Sequence, residues 1–306
     1  MINNVLFFLV PNSSNINVVP NKFGLTKNIN MKFKYRMCLA FAFLLSFLSV
    51  KAQLPVAANG KFLNADGMKI YYEESGSGKP LLLLHGFGRS GEDWKPYIAA
   101  LSKSNRVICI DLPGHGRSDL MDTTDIYLHK QAANLIITFI NLLKLDTVNI
   151  IGFSSGSMIG LHIITLKPAL VNKIILVSGQ LSFSDSTRKF ISALGGPDNF
   201  IMDANELSEI HGKKKGVLIA KQFWNFRKLY GDPSFTPDQL KTIKAQTLIV
   251  HGDSDPIAPV ENALSMFKFI PNAHLWIIPY GEHISIFLPD NQSEFLQKSL
   301  SFLKSK

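Results

Sequence analysis

A mostly parallel β-sheet covered by helices is the architecture this sequence predicts, and three observations predict it. Short β-type runs alternate with helix-length segments over most of the chain. Several of those runs are apolar without interruption, among them Leu81-Leu82-Leu83-Leu84 and Ile174-Ile175-Leu176-Val177, as expected of strands buried on both faces. The 306 residues are 46% hydrophobic and only 18% charged, with a mean hydropathy of +0.13. That composition excludes a disordered chain and supplies a substantial core.

The first fifty residues read as an address. From Met31 a basic stretch, Met-Lys-Phe-Lys-Tyr-Arg, precedes an apolar run over 37–50 and then Val50-Lys51-Ala52-Gln53. A basic start, an apolar centre and small residues at −3 and −1 of a cut after Ala52 are the marks of a signal peptide, so export is expected. An uncleaved membrane anchor is the alternative, although the run is short of the ~20 apolar residues that span a bilayer. Residues 1–30 are Asn-rich with no acidic residue, and they read as an upstream extension ahead of a true start at Met31. The expected organisation is therefore 1–30 extension, 31–52 signal peptide and 53–306 the folded domain.

The net charge of +9 belongs largely to this leader. Six of the 32 basic residues (Lys22, Lys27, Lys32, Lys34, Arg36 and Lys51) and none of the 23 acidic ones lie in residues 1–52. The remainder carries 26 basic against 23 acidic residues, a net of +3, which is no footprint for a polyanion. No nucleic-acid partner is expected. Cys109 is the only cysteine after position 52, so there is no disulfide framework. Its apolar neighbours Val107, Ile108 and Ile110 mark it as a small core residue.

In the folded part, strands are expected at 69–74, 81–85, 106–110, 147–152, 173–178, 247–251 and 274–278. Asp66-Gly67 and Gly76-Ser77-Gly78 supply turns around an opening antiparallel pair. Helices fit 94–102, 127–143, 155–166, 260–269 and 292–304. The alternation breaks over 179–242, where aromatics cluster at Phe183, Phe190, Phe200, Phe223, Trp224, Phe226 and Tyr230. Sixty residues between two strands of one sheet far exceed an ordinary connection, and the segment reads as a small helical cap. Its aromatics are expected to pack the cap, with Phe223, Trp224 or Phe226 placed to roof a pocket. Lys213-Lys214-Lys215 reads as a solvated helix end.

Two glycine motifs compete to define the chemistry. Gly86-Phe87-Gly88-Arg89-Ser90-Gly91 has the G-x-G-x-x-G form, follows an apolar strand, opens a helix and has Asp111 twenty residues on. Those are the requirements of a dinucleotide fingerprint, which would imply a nicotinamide oxidoreductase. Against it stands Gly152-Phe153-Ser154-Ser155-Gly156 between an expected strand and an expected helix. A G-x-S-x-G there forms a turn so tight that the serine is strained and its hydroxyl projects above the sheet, while the flanking positions must lack bulk. A serine nucleophile needs a base, and the base an orienting carboxylate. Asp253 and Asp255 follow one later strand, and His283 follows another, giving the order serine, acid, histidine. The dinucleotide reading explains none of these residues.

His85-Gly86-Phe87-Gly88, Asp111-Leu112-Pro113-Gly114-His115-Gly116-Arg117-Ser118, Gly152-Phe153-Ser154-Ser155-Gly156, His251-Gly252-Asp253-Ser254-Asp255 and Gly281-Glu282-His283 together resemble the signature segments of the α/β-hydrolase superfamily. The resemblance spans about residues 60–305 and is closest to its capped small-substrate serine hydrolases, the esterases, lactonases and carbon–carbon bond hydrolases. It implies an eight-stranded, mostly parallel sheet with the helical cap inserted after the sixth strand. It implies Ser154 as nucleophile, His283 as base and Asp255, the second aspartate of Gly-Asp-x-Asp, as acid, with Asp253 tying down its loop. Some relatives carry the acid after the preceding strand, but Ser178-Gly179-Gln180 has no carboxylate there. The amides of Phe87 and Ser155 then form the oxyanion hole, and His85, Gly86, Gly152 and Gly156 support it. His85, His115 and His251 are structural by the same resemblance, whereas His129, His162, His211 and His274 read as surface or satisfied core residues.

The expectation is an exported hydrolase that cleaves a small carboxylic ester through an acyl-enzyme and needs no cofactor. No metal-ligand spacing such as H-E-x-x-H or C-x-x-C occurs, and no stable membrane span is expected once the leader is cut. Lactone hydrolysis, carbon–carbon cleavage and cofactor-free peroxidase chemistry are alternatives on the same triad. A non-catalytic ligand-binding member of the fold is the alternative from another class. Ser154 itself argues against haloalkane and epoxide hydrolysis, which use an aspartate at the elbow.

Overall fold

The computed structural model describes residues 59–121, 124–196 and 204–305; the expected leader at 31–52, the extension at 1–30 and Phe200 lie outside them. Eight strands form one sheet: β1 (Gly60–Ala65), β2 (Met68–Ser75), β3 (Lys79–Leu84), β4 (Asn105–Ile110), β5 (Val148–Phe153), β6 (Val171–Val177), β7 (Gln246–Gly252) and β8 (Ala273–Ile278). Their spatial order is β1-β2-β4-β3-β5-β6-β7-β8. β1 and β2 are antiparallel, β2 meets β4 antiparallel, and every other pair is parallel. The sequence places seven of these strands and only implies the first, because β1 is largely exposed and lacks a continuous apolar run. Asp66 and Gly67, both at positive φ, turn β1 into β2, as a two-residue hairpin requires.

The strands expected to be buried on both faces are so. Leu81, Leu82, Leu83 and Leu84 are each fully buried in β3, and the apolar run of β6 is equally enclosed. Helices α1 (Lys95–Leu101), α2 (His129–Leu142) and α3 (Ser155–Leu166) lie between the first six strands in sequence, and α8 (Glu261–Phe269) and α9 (Pro289–Lys304) accompany the last two. One apolar cluster joins Leu81, Leu83, Trp94, Tyr97 and Cys109 to Phe153, Phe295 and Leu303. Cys109 is therefore the core residue its neighbours suggested, and burial pushes its thiol well up.

Between β6 and β7 the chain forms α4 (Asp185–Ala193), α5 (Ala204–His211), α6 (Lys213–Asn225) and α7 (Pro237–Lys241). These helices fall within 179–242, where the strand alternation of the sequence breaks. The lysine run there is only partly the solvated helix end expected. Lys213 and Lys214 are exposed, but Lys215 is half-buried and donates from Nζ to the carbonyls of Gly116 and Ser118.

Candidate active site

The turn from β5 into α3 is built by small residues. Ser154 stands at φ 52°, ψ −115°, backbone angles that cost a non-glycine residue about 1–3 kcal/mol. A Cβ on Gly152 would come 2.5 Å from the Gly156 carbonyl oxygen, and one on Gly156 would collide with the Leu84 carbonyl. The turn is pinned by the Ser154 amide donating to Val177 O at 2.8 Å and by Ser157, whose Oγ accepts from Val177 N at 2.9 Å and lies 2.5 Å from Gly152 O. Ser157 lies just beyond the pentamer, and nothing in the sequence marks it for this role.

The three expected catalytic groups meet. His283 Nε2 lies 2.9 Å from Ser154 Oγ, and His283 Nδ1 lies 2.8 Å from Asp255 Oδ2. The other Asp255 oxygen accepts from the amides of Ile257 and Ala258 at 2.9 and 2.8 Å. The Asp255 side chain is fully buried and that of His283 is 10% exposed, so the carboxylate is held rigidly behind an imidazole that still reaches the surface of the site. Asp253 is exposed and, among the described residues, its carboxylate accepts from the Ser254 hydroxyl and from no backbone amide, so it does not tie down the loop as expected. Ser178, at the position where some relatives carry the acid, donates from Oγ to the carbonyl of His283 at 2.9 Å and so steadies the histidine's loop.

Ser155 follows the nucleophile directly, and Gly86, one residue before Phe87, lies against it: a Cβ on Gly86 would come 3.5 Å from the Ser154 Cβ. The Ser155 amide belongs to the first turn of α3, whose N–H groups have no partner within the helix. Among the described residues, neither this amide nor that of Phe87 is engaged by an acceptor. His85 supports the Phe87 loop: its Nδ1 lies 2.7 Å from Gly86 O, and its Nε2 accepts from Leu112 N at 2.9 Å. A Cβ on Gly86 would press into the Phe153 ring at 2.8 Å, which is why the loop begins with glycine. The Phe87 ring packs against Tyr127 and against Phe223 and Phe226 of the insertion. Two of the three aromatics expected over the pocket thus reach this loop, while Trp224 stacks with Arg227 instead.

Asp111, the residue a dinucleotide fingerprint would aim at a ribose, is fully buried. One oxygen accepts from Gly91 N at 2.8 Å and the other from Arg117 N and Nε at 2.8 and 2.7 Å. Burial alone would raise this carboxyl, but the Arg117 guanidinium outweighs it and holds the group below its ordinary value. Asp111 therefore ties the two loops together, with both carboxylate oxygens engaged by Gly91 and Arg117.

His211 is buried between the insertion and the site. Its Nδ1 accepts from Gly116 N at 2.7 Å and its Nε2 donates to Gly88 O at 3.0 Å, joining α5 to the Phe87 loop. Burial drives its pKa from 6.5 down to about 3, and it lowers His85 and His115 as well. The unfolded chain takes up these protons near pH 6.5 while the fold resists them, so the unfolded state binds more protons below that pH. The histidine contribution to stability is complete above pH 6.5 and falls as pH drops toward 3. Urea midpoints should decline over that interval, and His211→Gln should flatten the decline; an unchanged slope in the variant contradicts this assignment.

A family model for the alpha/beta hydrolase fold matches residues 79–202. The chain is 26% identical over 268 residues to 2-hydroxy-6-oxo-6-(2'-aminophenyl)hexa-2,4-dienoic acid hydrolase of Metapseudomonas resinovorans, covering 80% of this chain and 91% of that one. It is 27% identical over 251 residues to pimeloyl-[acyl-carrier protein] methyl ester esterase of Legionella pneumophila strain Paris, covering 72% and 97%. Among solved structures, an esterase from Exiguobacterium antarcticum superposes with a TM-score of 0.67 at 26% identity, over 80% of this chain and all of that one.

Proposed function

The chain belongs to the α/β-hydrolase superfamily, and we propose that it is a serine hydrolase that cleaves small carboxylic esters through an acyl-enzyme. The observation that carries this reading is the array Ser154–His283–Asp255, with contacts of 2.9 and 2.8 Å. Asp255 keeps the proton of His283 on Nδ1 and leaves Nε2 free to accept. Nε2 takes the hydroxyl proton as Ser154 Oγ attacks the acyl carbon. The carbonyl oxygen gathers the negative charge between the amides of Phe87 and Ser155, which stabilise it as it forms. His283 then returns the proton to the leaving alkoxide, and water, deprotonated by the same imidazole, releases the acid.

The aromatic cluster of Phe87, Tyr127, Phe223 and Phe226 supports an apolar substrate, with the insertion over 179–242 acting as the cap. A second reading keeps the same residues but has Ser154 attack a ketone, and it is favoured by the relative named as a hydrolase of a 6-oxo-hexadienoic acid. A panel of p-nitrophenyl esters, lactones and β-diketones of graded acyl length separates the two. Ester turnover that disappears in Ser154→Ala is the expected result; turnover of no ester, or activity that survives that substitution, defeats the reading.

Export follows from the leader at 31–52 on this account, with the domain proper over 53–306. Among the described residues no helix is long and apolar enough to cross a membrane. Sequencing of protein recovered from outside the cytoplasm should begin at Gln53, and an intact N-terminus at Met1 contradicts it.

A further inference from the structure

The helical insertion contacts the proposed oxyanion hole through buried side chains that the hydrolytic steps leave unused. Ser155 supplies one amide on that reading, and its own hydroxyl is engaged elsewhere: the residue is buried, and Oγ lies 3.0 Å from His129 Nε2. His129, fully buried at the start of α2, turns Nδ1 toward Asp232 Oδ2 at 3.5 Å, near enough to feel the carboxylate although, among the described residues, Nδ1 makes no hydrogen bond. Asp232 belongs to the insertion, just ahead of α7. Its Oδ1 meets His162 Nε2 of α3 at 2.7 Å and accepts from the Lys130 amide in the first turn of α2 at 3.3 Å. One carboxylate thus gathers α2, the nucleophile's helix and, by way of His129, the first residue of that helix.

The chemistry gives this chain of contacts a direction. Burial would raise the Asp232 carboxyl, but the hydrogen bond with His162 and the two neighbouring imidazoles outweigh it and hold the group well below the carboxylate range. The Asp232 carboxylate, 3.5 Å from Nδ1, favours the His129 proton on that nitrogen electrostatically. Nε2 is then an acceptor, and the Ser155 hydroxyl donates to it. A serine in the first turn of a helix otherwise bonds to nearby backbone groups, in competition with the amides that must stay free for an oxyanion. Tying the hydroxyl back to His129 removes that competition and fixes the plane of the Ser155 amide.

We infer that Asp232, through His129 and the Ser155 hydroxyl, positions the Ser155 amide as an oxyanion donor, making the insertion part of the catalytic geometry. The inference rests on the serine-hydrolase reading above. His129 and Asp232 touch no substrate; they are positioning residues.

The test is steady-state hydrolysis of p-nitrophenyl butyrate, with the rate of fluorophosphonate reaction at Ser154 as a second readout. His129→Ala and Ser155→Ala should each lower kcat by about 10-fold or more with KM within about twofold, since losing a donor outright costs about 10²–10³. The double variant should be no worse than either single one, because both cut the same connection. His129→Gln, which keeps a hydrogen-bonding tip near the position of Nε2, should recover most of the loss, and Asp232→Asn should fall between. An unchanged kcat in Ser155→Ala, or losses that multiply in the double variant, overturns the inference. Ser155→Ala and His129→Gln decide the matter even if His129→Ala does not fold. A wild-type protein inert to both ester and fluorophosphonate overturns the hydrolase reading and this one with it. An active wild type with unaffected variants overturns the relay alone.

Discussion

Ser154→Ala should reduce kcat by on the order of 10⁴–10⁶ while leaving the fold in place. The hydroxyl makes one hydrogen bond, to His283, and alanine meets the same positive φ with a smaller side chain, so the loss is chemical. Without Oγ no covalent intermediate forms, and only the oxyanion donors and binding contacts remain to assist water. His283→Ala should cost a similar factor, since an unassisted serine hydroxyl is a poor nucleophile near neutral pH. The two losses should not multiply: the double variant should match the worse single one, because the residues act as a unit. Thermal midpoints of the single variants should stay within a few degrees of wild type, which separates this result from unfolding.

Gly156→Ala should have the largest effect on stability, at least about 3 kcal/mol. On propensity alone the change is favourable, because alanine gains about 1 kcal/mol over glycine inside a helix. Packing reverses the sign. The new methyl would be driven into the Leu84 carbonyl and would lie 2.8 Å from the His85 carbonyl oxygen. Both obstacles are backbone, one in the central strand β3 and the other at the start of the Phe87 loop, so neither can swing aside. Relief requires α3 to lift off the sheet, which would move the Ser155 amide as well. The melting temperature should fall by roughly 6–12 °C for a domain of this size. Gly231→Ala is the control: a Cβ there meets nothing within 4 Å and φ is not positive. A Gly156→Ala protein as stable as that control would show that the tight turn is not what the glycine serves.

Much of this molecule is legible in its sequence because its signals are local. The four leucines of β3 and the apolar run of β6 declare doubly covered strands without reference to anything distant. The pentamer 152–156 carries its own steric logic, and Gly152 and Gly156 are required by contacts within one turn. Asp255 and His283 are harder, since nothing local links them to Ser154; they are found because each follows a strand in the order that the resemblance supplies. What the sequence does not disclose are the long-range polar contacts. Lys130 and Asp232 are 102 residues apart, and Gly116 and His211 are 95 apart. Each is an ordinary polar residue whose partner is chosen by how the insertion packs, and no periodicity encodes that packing. His129, His162 and His211 read as surface or satisfied core residues; all three are buried, and the groups they meet lie elsewhere in the chain. Lys215 misleads for the same reason: a run of three lysines looks solvated, whereas its third member reaches two carbonyls of the 111–118 loop.

The most direct measurement is intact-mass spectrometry of the purified protein after brief exposure to a fluorophosphonate, followed by peptide mapping. An activated serine should give a single adduct on the peptide containing Ser154, absent from Ser154→Ala and strongly slowed in His283→Ala. A protein that stays unmodified, or one whose adduct persists when Ser154 is alanine, would contradict the account.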